Sequence, residues 1–190
     1  MRRNTLQAAA LVAVTVAAMV GATGSTTTYA QSSLTSIRLK NGPGGDALNM
    51  TWARSGNGHH YEYATYGPWK NNSHSTWRIE SAGFVTGRWP FKNSYWDYQY
   101  LGDPVYRFQA NRRNGYLGEL GGSVMVRRDA KPNTLWVAAR TDRLVNVERS
   151  NYRNTPQVLS VNPSSWSKQS AAFLAAPGAY GLWQRWWYTP

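Results

Sequence analysis

Hydrophobic and polar residues alternate along much of the chain. Leu48, Met50 and Trp52 fall on one side of an extended segment 47–54, with Asn49 and Thr51 on the other. Across 60–66, His60, Glu62, Ala64 and Tyr66 share one side, and Tyr61, Tyr63 and Thr65 the opposite one. Segments 83–89, 95–101 and 104–109 repeat the alternation less cleanly. Segments 124–128 and 134–140 read as a hairpin around Asp129-Ala130-Lys131-Pro132-Asn133, and 144–149 as a third strand after Thr141-Asp142. A period of two is the signature of a strand with unlike faces. Gly, Pro and Asn punctuate these runs at spacings of roughly 8–12 residues, as turns do in all-β proteins. The pattern predicts an all-β fold: a single-domain sandwich or barrel of about ten short, mostly antiparallel strands. It also predicts one short helix near 163–175. Asn162 would cap it, Pro163 take its first position, Trp166, Ser170, Phe173 and Leu174 form one face, and Pro177-Gly178 end it. No internal repeat is evident.

The first 30 residues follow different rules. Arg2 and Arg3 precede a run from 8 to 22 made almost wholly of Ala, Val, Leu, Met and Gly, and no acid occurs before Asp46. A polar stretch then leads to Thr28-Tyr29-Ala30, with small residues where signal peptidase reads the chain. The apolar run is shorter than the roughly 20 residues of a spanning helix. Residues 1–30 are therefore expected to be a secretion signal peptide cut after Ala30. Residues 31–190 are expected to be a single β-rich secreted domain, extracellular or associated with the cell envelope, with no membrane span.

Composition sharpens this picture. The chain has 21 Lys and Arg against 9 Asp and Glu, a net charge of +12. Arg2 and Arg3 are the basic residues lost with the signal, which leaves about +10 on the remainder. The chain also has 10 Trp, 12 Tyr and no Cys, so the core must hold without disulfides, and thiol chemistry is excluded. Arginine with aromatic residues is the combination that stacks on rings and pairs with anions.

Two constellations suggest chemistry. The chain's 3 histidines are His59, His60 and His74, and a set of His59, His60 and His74 is a conceivable zinc or copper site. Adjacent histidines at the start of a strand are more often solvated, so no metal and no cofactor is expected. In the second constellation Glu62 would act as general base, His60 as acid and Arg78 as phosphate holder, the minimum apparatus of an extracellular hydrolase cleaving nucleic acid or glycan. Here Glu62-Tyr63 and Arg78-Ile79 resemble the His-Glu-Tyr and Arg-Ile strands of small secreted bacterial ribonucleases. That likeness is short, and no histidine follows His74 to complete the family's apparatus.

The arginines are better organised. Arg107, Arg112 and Arg113 flank a turn, Arg127 and Arg128 end a strand, and Arg140 and Arg143 bracket the next turn. In a β fold such positions can gather at one edge. At the C-terminus, Trp183, Trp186 and Trp187 belong to an aromatic run that is expected to close the core as a last strand, or else to present a binding platform. These ten residues are the candidate ligand-binding set. The expected partner is an anionic cell-surface polymer or glycan, with nucleic acid as a further polyanion. Binding is favoured over catalysis because carboxylates and histidines are scarce.

N-terminal sequencing of exported protein should read from Gln31. Recovery of the intact chain in the membrane fraction would contradict the expected cut.

Overall fold

The computed structural model describes residues 33–41, 46–54, 60–69, 73–111, 115–162 and 170–189; the expected signal, 1–30, lies outside them. Strand β1 (Ser33–Asn41) leads to a hairpin of β2 (Ala47–Arg54) and β3 (His60–Gly67), then to β4 (Trp77–Phe84). The unit recurs as β5 (Pro104–Ala110), the hairpin β6 (Tyr116–Leu120) and β7 (Ser123–Arg127), and β8 (Trp136–Ala139). It recurs again as β9 (Arg143–Asn146), helix α1 (Val147–Arg153), β10 (Val158–Ser160), β11 (Ser170–Ala171), β12 (Phe173–Ala175) and β13 (Trp186–Thr189).

The first and last strands of each unit pair antiparallel into a ring, β1–β4–β5–β8–β9, with β13 paired to β1. Trp186 N–H closes the ring by donating to Asp142 O at 2.7 Å. The three hairpins meet at one end: β3 pairs with β7 and β11, and β7 with β12. A six-stranded barrel capped by three hairpins about an approximate threefold axis is the β-trefoil arrangement.

The threefold logic is carried by side chains as well as strands. Trp77, Trp136 and Trp186 each open the last strand of a unit, and all three are completely buried. Each indole N–H donates to a leucine carbonyl at the second position of a cap strand. The pairs are Trp77 to Leu48 at 3.0 Å, Trp136 to Leu117 at 2.8 Å and Trp186 to Leu159 at 2.9 Å. A buried tryptophan needs a partner for its polar end, and here the partner is always cap backbone. Leu39, Phe108 and Leu144 on β1, β5 and β9 fill the barrel beside them. Where the hairpins converge, the residues shrink to Ala64, Val124 and Ala172, and Ala172 N–H reaches Ala64 O at 2.9 Å.

Equivalent asparagines and their neighbours tie the barrel ends. Asn41 Nδ2 donates to Trp183 O and Arg185 O at 3.0 and 2.9 Å, and Asn146 Nδ2 to Asn133 O at 2.9 Å. In the remaining unit Asn111 Nδ2 reaches Thr76 Oγ1 at 3.0 Å. Each bond holds the segment that leads into one of the three tryptophan-bearing strands.

Several expectations change. Of the helix expected near 163–175, residues 163–169 lie outside the described set, and 170–175 are extended, paired with β3 and β10. Among the described residues the α-helix is α1, capped by Asn146, whose side chain accepts from Arg149 N–H at 2.9 Å. It consumes the end of the expected strand 144–149. Segment 95–101 is no strand either, but a wide helical turn over Trp96–Tyr100. The Trp96 and Tyr100 rings meet at 5.3 Å, tilted by 54°, an i to i+4 contact that alternation misses. Past Phe84 the segment 83–89 cannot continue as a strand, since Gly83 and Gly87 take φ of +93° and +67°. Strands β7 and β8 do not form a hairpin. The segment between them carries the chain from cap to barrel, where β8 pairs with β5 and β9.

Trp136→Phe keeps an aromatic ring but strips Leu117 O of its donor and leaves a small void. It should cost about 2 kcal/mol in urea unfolding. Trp89→Phe, at an exposed site, should shift stability by about 0.5 kcal/mol or less.

Candidate functional site

The three-residue turn between β8 and β9 is built by local chemistry. Asp142 N–H closes it onto Ala139 O at 3.0 Å, and Asp142 takes φ of +61°, a left-handed conformation that Asp tolerates better than most residues. The turn puts Arg140 and Arg143 beside the long β4–β5 connection, which returns to the barrel through Gln99, Tyr100 and Asp103. Together with Thr155, Pro156 and Pro177 they surround an open depression of ≈ 550 Å³.

Its electrostatics are divided. Arg140 Nε meets Asp103 Oδ1 at 3.0 Å, with the arginine side chain 75% exposed and the aspartate 4%. Burial raises the Asp103 carboxyl, and the Arg140 guanidinium pulls it back. Burial also pushes the Tyr100 phenol up to about 12, against the pull of Arg143 and with the help of Tyr95 and Asp103. Tyr100 is therefore a neutral hydroxyl at ordinary pH, able to donate as well as accept. Arg143 carries a buried Nε with no hydrogen-bond partner among the described residues. The depression thus offers two guanidinium groups, one phenol and small polar side chains, with one carboxylate engaged by Arg140.

The other candidate arginines go elsewhere. Arg107 lies on the outer barrel wall opposite Glu80, with Arg78 opposite Gln109. On the same barrel Lys40 stands opposite Trp187, and Arg38 stacks on Trp69 at 3.1 Å. Arg127 ends β7 opposite Tyr116, followed by exposed Arg128 and the Asp129–Lys131 ion pair at 2.7 Å. Arg112 and Arg113 lie outside the described residues. The sequence run from 107 to 143 therefore serves at least three separate places.

The aromatic C-terminus closes the barrel as β13, as expected for a last strand. Trp186 is core and no platform: it is fully buried, with its N–H committed to Leu159. Trp183 packs partly buried against the same core, its ring 5.9 Å from Tyr66 and nearly perpendicular to it. Trp187 remains half-buried on the outer wall.

The hydrolase set is divided between two layers. Glu62 is half-buried on β3 in the cap, while Arg78 is on barrel strand β4. Strand β3 pairs with β2, β7 and β11 and β4 with β1 and β5, so no strand pairing sets the two side by side. His60 opens β3, and His74 lies in the turn before β4, where its carbonyl accepts from Met50 N–H at 2.8 Å. His59 lies outside the described residues. No group of three His, Cys, Asp or Glu suited to a metal occurs among the described residues.

Gln99, Tyr100, Asp103 and Thr155 were not expected at a site. Their only sequence signal is the Gly102-Asp103-Pro104 corner that returns the connection to the barrel.

Between its ordinary value of 3.8 and its raised folded value, Asp103 holds a proton more tightly in the native state than in the unfolded chain. Stability from this group is thus lost as pH rises through that window. Asp103→Asn cannot titrate there. The unfolding midpoint of the variant relative to wild type should rise with pH across the window and then level off.

No protein-family model matches the chain, and no curated protein matches its sequence. Solved structures do match. ThreeFoil, a designed 3-fold symmetric protein, is 16% identical, with a TM-score of 0.52 over 82% of this chain and 98% of that one. The Haemophilus ducreyi cytolethal distending toxin is 15% identical, with a TM-score of 0.53 over 82% and 83% of the two chains. The SDF2-like protein of Arabidopsis thaliana is 13% identical, with a TM-score of 0.52 over 82% and 92%. At such identities the likeness is one of fold alone, and it agrees with the threefold arrangement of strands and tryptophans.

Proposed function

We propose that this protein is exported by cleavage after Ala30 and binds an anionic glycan or related cell-envelope polymer through the depression beside the β8–β9 turn. One observation carries the reading. Arg140 and Arg143 are brought together around a single open depression that also holds the neutral hydroxyl of Tyr100 and the side chains of Gln99 and Thr155. Guanidinium groups pair with carboxylate, phosphate or sulfate, and the neighbouring hydroxyl and amide groups suit sugar hydroxyls. The net charge of about +10 left after loss of Arg2 and Arg3 supports attraction of such a polymer from a distance. The Asp103 carboxylate fits as well, because by accepting from Arg140 Nε it restrains a side chain that would otherwise sample many rotamers.

The test is binding of the mature protein to uronic-acid and sulfated oligosaccharides, to teichoic acid and to DNA at several salt concentrations. Arg140→Ser combined with Arg143→Ser should weaken binding to the preferred glycan by about tenfold to a hundredfold. It should also reduce the steepness of the salt dependence. Unchanged affinity in the double variant would overturn the assignment. Tighter binding to DNA than to every glycan would replace the glycan with nucleic acid as the ligand.

A further inference from the structure

The approximate threefold symmetry is broken most heavily between the first two units. Strands β8 and β9 are joined by residues 140–142, whereas β4 and β5 are joined by residues 85–103. This long arm is folded tightly against the barrel. Its ends are zipped by Val85 N–H to Asp103 O and Gly102 N–H to Val85 O, both at 3.0 Å. Val85, Phe91 and Trp96 form a second core with Val137, Val145 and Val147. One residue of α1 locks the arm. Asn151 Oδ1 accepts from Trp96 Nε1 at 2.8 Å and from Lys92 N–H at 3.2 Å, while Asn151 Nδ2 donates to Pro90 O at 2.6 Å.

With its interior satisfied, the arm still leaves large apolar groups outside. Phe84 is 50% exposed, Trp89 73%, Tyr98 88% and Leu101 53%. Phe84 ends β4 at the root of the arm, and the other three belong to the arm itself. The pairing of Val85 with Gly102 and Asp103 brings Phe84 near Leu101, and Gly87, two residues before Trp89, lies against the side chain of Asp97, which precedes Tyr98. Tyr152, 75% exposed, adjoins the locking Asn151. Cations flank them: Arg88, Lys92 and Arg153 are exposed, and Arg153 lies 5.9 Å from the Tyr152 ring. Asp97 is the one exposed acid of the arm.

We infer that this arm is a docking surface for an anionic lipid bilayer. Rings exposed to 73% and 88% project into solvent, as insertion into an interface needs and as enclosure of a sugar or peptide does not. Trp and Tyr favour the headgroup level, where their rings are buried and their polar ends stay wet, and Leu101 and Phe84 add aliphatic and aromatic depth. The neighbouring Arg88, Lys92 and Arg153 complement acidic headgroups. The arm is already rigid, so little conformational entropy is lost on contact. This surface rests on different residues from the glycan depression, and either reading can fail without the other.

Flotation of the mature protein with vesicles of phosphatidylcholine, with and without phosphatidylglycerol, tests it. The protein should float with the phosphatidylglycerol vesicles and far less with phosphatidylcholine alone. Trp89→Ser combined with Leu101→Ser should weaken that binding by roughly tenfold or more, because both contribute apolar area that only insertion buries. Arg88→Ser combined with Lys92→Ser should remove the preference for phosphatidylglycerol. All four positions are exposed, so near-ultraviolet circular dichroism should show the fold intact. No flotation of the wild type, or flotation unaltered by Trp89→Ser with Leu101→Ser, would overturn the inference. A concentration-dependent dimer abolished by those same changes, without vesicle binding, would instead make the arm a contact between copies.

Discussion

The structure depends on one contact made three times: a fully buried indole that donates its N–H to the backbone of the cap. Among the described residues, barrel and cap are joined in the sheet by one paired position in each unit, Lys40 with Ala47, Gln109 with Tyr116 and Val145 with Val158, so a further contact is needed to fix their relative position. Trp77, Trp136 and Trp186 do so, each rooted in a barrel strand and bonded to Leu48, Leu117 or Leu159 of a hairpin. Large apolar area and a directional bond act at the same point. The hydrophobic part alone would tolerate sliding, whereas a carbonyl at 2.8–3.0 Å does not. In a chain without cysteine, this is where register between the layers is set.

Alternation was readable because strands with one buried face must alternate. Leu48 and Met50 do face the core, and Ala64 and Tyr66 answer them on β3. The opposite side is knitted by a Thr51–Thr65 hydroxyl contact at 2.8 Å. The threefold repeat was not readable, for a physical reason. Its markers are spaced unequally along the chain, since loops of different length intervene, and the other tryptophans obscure the three that matter. Trp89 is mostly exposed and Trp96 belongs to the second core, yet nothing in their immediate sequence separates them from Trp136. The later part of the expected helix, 170–175, failed similarly. Asn162-Pro163 resembles an N-cap as strongly as Asn146 does, and tertiary pairing drew 170–175 into strands.

The candidate site was only partly legible. Arg140 and Arg143 could be read as neighbours because a tight turn lies between them. Their separation from Arg107 and Arg127 could not, because distance along a strand says nothing of which wall the strand joins. Gln99 and Tyr100 were hidden for a further reason: they reach the depression from an arm whose path is set by contacts with α1.

That arm explains how a symmetric scaffold acquires an asymmetric surface. The threefold contacts that tie barrel to cap involve no residue of 85–103. The arm shares a second core with β5, β8 and β9, and Asn151 ties it down with bonds that reach Pro90, Lys92 and Trp96 at once. Held so firmly, it can bury Asp103 beside Arg140 on one side and leave Trp89 and Tyr98 in solvent on the other. Burying a carboxylate and exposing large rings both oppose folding, and a loose loop would relax out of each. Both persist because the packing beneath the arm leaves it no alternative path. Rigidity supplied by the scaffold is therefore what permits a surface that local energetics would otherwise remove.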